Sequence, residues 1–143
     1  YFWEPVKVDP ISLDCVKTES AIDWLEADSN EDVLIREVQL RGEKSNDCYA
    51  TAFSVVRLEA LPESLRKPLE SGEIGIGVLI RDSGLESYRE ILEIGSQQKF
   101  GHLNTDMQEQ MMDVVYRTYR IIAHGKPIIL ITELFPWKLY ENC

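Results

Sequence analysis

Glu133 is a lone carboxylate inside the apolar run Ile128-Ile-Leu-Ile-Thr-Glu-Leu-Phe-Pro136. Successive strand side chains point to opposite faces. Ile129, Ile131 and Phe135 therefore share the face of Glu133, while Ile128, Leu130, Thr132 and Leu134 line the other. Burying an unpartnered carboxylate costs several kcal/mol. Glu133 must be paired, hydrogen-bonded or kept protonated, which makes it the first candidate for chemistry.

Arg36 is the partner that such a carboxylate invites. In Val33–Leu40 the residues Leu34, Arg36, Val38 and Leu40 alternate on one face, with Glu37 and Gln39 on the other. Arg36 is the single polar residue on the apolar side. A guanidinium stays charged and presents a planar fork matched to carboxylates, so it serves either a structural ion pair or an anionic ligand in a closed cavity. Arg117 and Arg120 fall on opposite faces of one strand, and the turn that follows decides which joins Glu133. A two-residue loop at His124-Gly125 or Gly125-Lys126 selects Arg120, and a three-residue loop selects Arg117.

The elements that position these residues are mostly strands. Phe2–Val8 reads as a strand with Pro5 marking an edge or bulge, and Glu19–Glu26 as a short helix capped by Thr18 or Ser20. Val33–Arg41 and Cys48–Leu58 form a hairpin across a polar turn. Leu61–Gly72 is a helix entered at Pro62, Gly75–Ile80 an apolar segment of open type, and Glu86–Ile94 a strand. Gly95–Gln110 reads as a polar loop, and Val114–Ala123 with Pro127–Phe135 as a closing hairpin across His124-Gly125-Lys126. The pattern predicts an α+β class: a single antiparallel sheet with short helices at one side.

At 143 residues the chain is read as one domain, residues 1–143, large enough to bury a core. A net charge of −10 opposes nucleic-acid phosphates and anionic membrane surfaces. No apolar run approaches the roughly 20 residues of a membrane helix. Three widely spaced cysteines, Cys15, Cys48 and Cys143, and no signal-peptide pattern predict reduced thiols and a cytoplasmic location. His102 and His124 share no metal-like spacing with them, so no metal site is expected. Gly72-Glu-Ile-Gly-Ile-Gly77 lacks the Lys-Ser/Thr of a phosphate loop, which leaves close backbone approach as the use of its glycines. Trp3, Trp24 and Trp137 are read as packing residues. With no initiator Met, the natural start is expected before Tyr1.

Taken in order, Leu34-Ile-Arg-Glu-Val-Gln-Leu40, Leu61-Pro62, Ile74-Gly-Ile-Gly-Val-Leu79, Arg117-x-x-Arg120, Gly125-Lys-Pro127 and Thr132-Glu-Leu-Phe-Pro136 resemble the chorismate pyruvate-lyase superfamily, including its archaeal and cyanobacterial branch. The resemblance spans about residues 33 to 140. It implies a chorismate lyase-like fold with an N-terminal helix lying before these residues. It also implies a cofactor-independent lyase that converts chorismate to 4-hydroxybenzoate and pyruvate in a closed cavity. By motif, Arg36 matches the arginine that binds the ring carboxylate, Glu133 the acid at the ring-oxygen end, and Ile74, Gly75, Ile76 and Gly77 a backbone segment that also touches the carboxylate. Arg120 or Arg117 would take the enolpyruvyl carboxylate, and Glu133 would act as hydrogen-bond partner or proton donor. The expected partner is a small anionic aromatic or pre-aromatic ligand. The effector-binding domains of GntR-type regulators look like the same fold and end in a similar Gly-x-Pro hairpin, so a non-catalytic small-molecule-binding domain is the alternative.

Overall fold

The computed structural model describes residues 4–71, 75–101 and 110–136. Within them, six strands form one sheet: β1 (Val6–Lys17), β2 (Asp32–Gly42), β3 (Cys48–Arg57), β4 (Ser87–Gly101), β5 (Gln110–Ala123) and β6 (Lys126–Pro136). Their spatial order is β1-β2-β3-β6-β5-β4, and all neighbours are antiparallel. Two helices, α1 (Glu63–Ser71) and α2 (Ile76–Ser83), connect β3 to β4. This is the α+β arrangement expected from the alternation of the strands.

The core lies between one sheet face and these helices. Leu34, Val56, Ile121, Ile129 and Ile131 meet Leu65 and Leu69 of α1 and Ile76 and Ile80 of α2. Gly75 caps α2 at its start, and Gly84, with φ of 75°, closes it in the left-handed conformation that suits glycine. The opposite face is more open, with Ile35 and Phe53 exposed.

Three local expectations are corrected. The predicted helix at Glu19–Glu26 is a single 3₁₀ turn, Asp23–Leu25, closed by an Ile22–Ala27 bridge. So short a segment cannot offset helix nucleation, and Glu26 leaves it with φ of 53°. The first strand runs to Lys17 rather than Val8. It is an edge strand held by its ladder to β2; Ile11-Ser-Leu13-Asp-Cys15 alternates, but Pro10 interrupts the pattern, and the register shifts between Pro10 and Ser12. The predicted polar loop from Gly95 is strand as far as Gly101, paired to β5 from Gln110 onward.

The closing hairpin carries the most consequential detail. Ala123 pairs with Lys126 across a two-residue turn whose residues, His124 (φ 54°) and Gly125 (φ 74°), both take positive φ, the pattern of a type I′ turn. Ile122 then pairs with Pro127 but Ile121 with Ile129. Ile128 is the extra residue of a β-bulge, and every pair beyond it is displaced by one. Arg117, not Arg120, therefore stands opposite Glu133.

A buried ion pair anchors the segment between β1 and β2. The Thr18 hydroxyl donates to the Asp28 carbonyl at 2.6 Å and accepts from the Glu31 amide at 3.0 Å. Arg57 donates to the Glu31 carboxylate through Nε at 2.6 Å and Nη2 at 3.0 Å, and to the Pro127 carbonyl at 3.3 Å. The Arg57 hydrogen bond holds the Glu31 carboxyl below its usual value. A depressed folded-state value contributes stability that is present above about pH 4.3 and lost as pH falls through the folded value. Glu31→Ala should cost about 3 kcal/mol at pH 7 by stranding Arg57. Its urea midpoint should also fall less than wild type's on acidification, which urea titrations at pH 7 and in acid will check.

Candidate functional site

A cavity of about 140 Å³ opens on the helix-covered face of the sheet. Its floor is set by cross-strand register. Arg36, Ser54, Ile131 and Tyr119 form one row across β2, β3, β6 and β5, and Val38, Ala52, Glu133 and Arg117 form the next. Alternation puts both rows on one face. Gly75 and Ile76, at the start of α2, close the cavity from above, and Val8 and Leu40 wall it toward β1.

Arg36 is 2% exposed, and burial lowers its pKa from the usual guanidinium value. A guanidinium nonetheless keeps its proton at neutral pH, so the cavity contains a desolvated positive charge. Electrostatic interactions are strongest in such surroundings.

Glu133 lies two strands away and is ion-paired with Arg117. Arg117 donates through Nε to its Oε1 at 2.5 Å. Tyr119 is buried in the cavity wall, and its phenol is pushed up to about 12, first by burial and then by the neighbouring Glu133 carboxylate. The guanidinium of Arg117 also rests against the rings of Tyr119 and Phe135, at 5.4 and 5.6 Å from their centroids. The carboxylate predicted to need a partner has a cation, Arg117.

The other sequence candidates divide. Gly75 and Ile76 line the cavity, Gly77 lies in the first turn of α2, and Ile74 lies outside the described residues. Arg120 points to the opposite sheet face, where it donates to Glu90 at 2.8 Å and to the Trp24 carbonyl at 3.0 Å. Trp24 is half exposed beside it, while Trp3 and Trp137 lie outside the described residues. Cys15 and Cys48 are free thiols, the first exposed and the second buried. Among the described residues no group of three or more His, Cys, Asp or Glu side chains could hold a metal ion. No helix there is long and apolar enough to cross a membrane.

Three polar cavity residues escaped the sequence reading: Ser54, Tyr119 and Arg89. Tyr119 shares the parity of Arg117, and that was the available signal once the turn was known. Arg89 lines the cavity from β4, with its Cζ 5.0 Å from the Tyr119 ring centroid. Only the β4–β5 register, interrupted between Ile91 and Glu93, brings it there.

Known proteins resemble this chain in sequence and in fold. The model of the Rv2949c-like chorismate pyruvate-lyases matches residues 3–142. A chorismate pyruvate-lyase of Mycobacterium leprae is 26% identical over 97% of this chain and 67% of its own length. The Methanocaldococcus jannaschii protein MJ0807 is 35% identical over 75% of this chain and 61% of its own, and a chorismate pyruvate-lyase of Mycobacterium tuberculosis is 28% identical over 77% and 56%. The chain thus spans a little over half to two-thirds of these curated relatives. Among solved structures, the effector domain of PhnF from Mycobacterium smegmatis superposes with a TM-score of 0.63 at 14% identity, over 94% of this chain and 82% of that one. Bacillus subtilis YydK does so at 0.66 and 12%, over 94% and 58%. At such identities the likeness is one of fold, shared with effector domains of GntR-type regulators. By sequence, the chain belongs to the Rv2949c-like chorismate pyruvate-lyase family.

Proposed function

We propose that this chain carries the ligand cavity of a cofactor-independent lyase that converts chorismate to 4-hydroxybenzoate and pyruvate. The observation that carries the reading is the buried Arg36 guanidinium inside a cavity smaller than the usual ~300 Å³ or more of ligand pockets. A desolvated cation in so confined a space suits the carboxylate of a single-ring ligand. Arg36 binds the ring carboxylate, assisted by the backbone N–H groups that begin α2.

The far end of the ring meets Glu133 and Tyr119. Glu133, ion-paired to Arg117, acts as an acceptor for the ring hydroxyl. Tyr119 keeps its proton to high pH and is a neutral donor for the departing enolpyruvyl oxygen. Elimination breaks the ether bond and releases the ring C4 proton, leaving an aromatic product. Because aromatisation drives the step, orientation and charge stabilisation are the main tasks left to the protein.

A second reading has a specific support. Glu133 is engaged by Arg117 rather than presented as a proton donor, which also suits a domain that binds an anionic aromatic ligand without turning it over.

Incubation with chorismate should produce 4-hydroxybenzoate, and Arg36→Ala should lower kcat/KM by about 100-fold or more. Full turnover by Arg36→Ala would overturn the assignment. Thermal stabilisation of the wild type by 4-hydroxybenzoate with no turnover would favour the binding domain. Tyr119→Phe should lower kcat by about 100-fold with KM little changed. Because the hydroxyl stays protonated to about pH 12, the wild-type rate should show no basic limb from this group between neutrality and that value, as a kcat–pH profile will test.

A further inference from the structure

A dianionic ligand presents a second carboxylate, and the arginines expected to receive it are engaged elsewhere. Arg120 faces the other side of the sheet and holds Glu90. Arg117 is spent on Glu133. Arg36 sits on β2, at the end of the cavity assigned above to the ring carboxylate.

We infer that Arg89 is the specificity-determining residue that binds the second carboxylate of a dianionic ligand in this cavity. Four observations support it. Arg89 lines the cavity from β4, and β2 and β4 are separated by β3, β6 and β5. Four strand spacings place the Arg36 and Arg89 backbones about 19 Å apart along the sheet, and two long side chains reaching inward leave room for one ring between their charges. Arg89 makes no salt bridge among the described residues. Its guanidinium lies over the Tyr119 ring, with Cζ 5.0 Å from the centroid, and a contact of that kind leaves in-plane N–H donors for a carboxylate. Arg89 also lines the larger open cleft beside Ile80, Leu85 and Tyr88, so it stands where the cavity meets the outside. A substituent too large for the inner cavity would pass that point.

This inference rests on the proposed anion-binding role of the cavity, and its test separates the two. Dissociation constants would be measured by calorimetry for a matched pair of unreactive ligands, the dianion 3-(carboxymethoxy)benzoate and the monoanion 3-methoxybenzoate. The wild type should bind the dianion more tightly. Arg89→Gln should weaken the dianion by about tenfold, as expected for one charge-assisted contact, and leave the monoanion within about twofold. Arg89→Lys should restore part of the preference. If both ligands weaken equally in Arg89→Gln, or neither does, the Arg89 assignment is overturned while the cavity reading stands. If the wild type binds neither ligand, the cavity reading falls and takes this inference with it.

Discussion

One residue of strand register governs the site. Side chains alternate with a period of two, so a shift of one residue moves a strand's whole set to the other face. The two-residue turn at His124-Gly125 alone would have put Arg120 on the face of Glu133. The bulge at Ile128 reverses that outcome and puts Arg117 there. Tyr119 follows Arg117 onto the same face, and the ion pair, the phenol and the ring contacts all depend on this displacement. Without it, the cavity would meet Thr118 and Arg120 from β5.

Arg36 contributes a different constraint. Its burial carries a desolvation cost that shows in its lowered pKa, yet Leu34 and Val38 flank it on the same strand in well-packed surroundings. A charge kept out of water acts through a low local dielectric and needs no reorganisation when an anion arrives. The helix pair makes this burial possible by covering one sheet face and bringing the α2 start over the cavity. The Glu31–Arg57 pair does comparable structural work on the margin of the sheet, where it ties the Thr18–Glu31 segment to β3 and β6.

The same fold occurs in ligand-binding and effector domains of regulators at 10–14% identity. A frame so widely shared does not specify chemistry. What distinguishes one member from another is the set of side chains aimed into the cavity: here Arg36, Tyr119, Glu133 and Arg89. Family membership rests on sequence, and the geometry gives the chemical terms in which an activity can be tested.

Alternation alone made the β2–β3 hairpin, the α1 helix and the closing hairpin legible, because each carries a clear apolar period between turn signals. It also placed Arg36 and Glu133 on apolar faces, since a polar residue among alternating apolar neighbours is visible in one dimension. Elements held mainly by their ladders were not legible. Pro10 interrupts the alternation before the distal half of β1, the polar end of β4 lacks it, and both exist as strands because a neighbour supplies their hydrogen bonds. The Glu19–Glu26 segment failed in the other direction, being too short to nucleate the helix its spacing suggested. The sequence by itself determined which residues are costly to bury and therefore need partners. Only the tertiary structure decided which partners they receive, because a bulge and the cross-strand register, neither marked by residue type, set the face on which each side chain emerges.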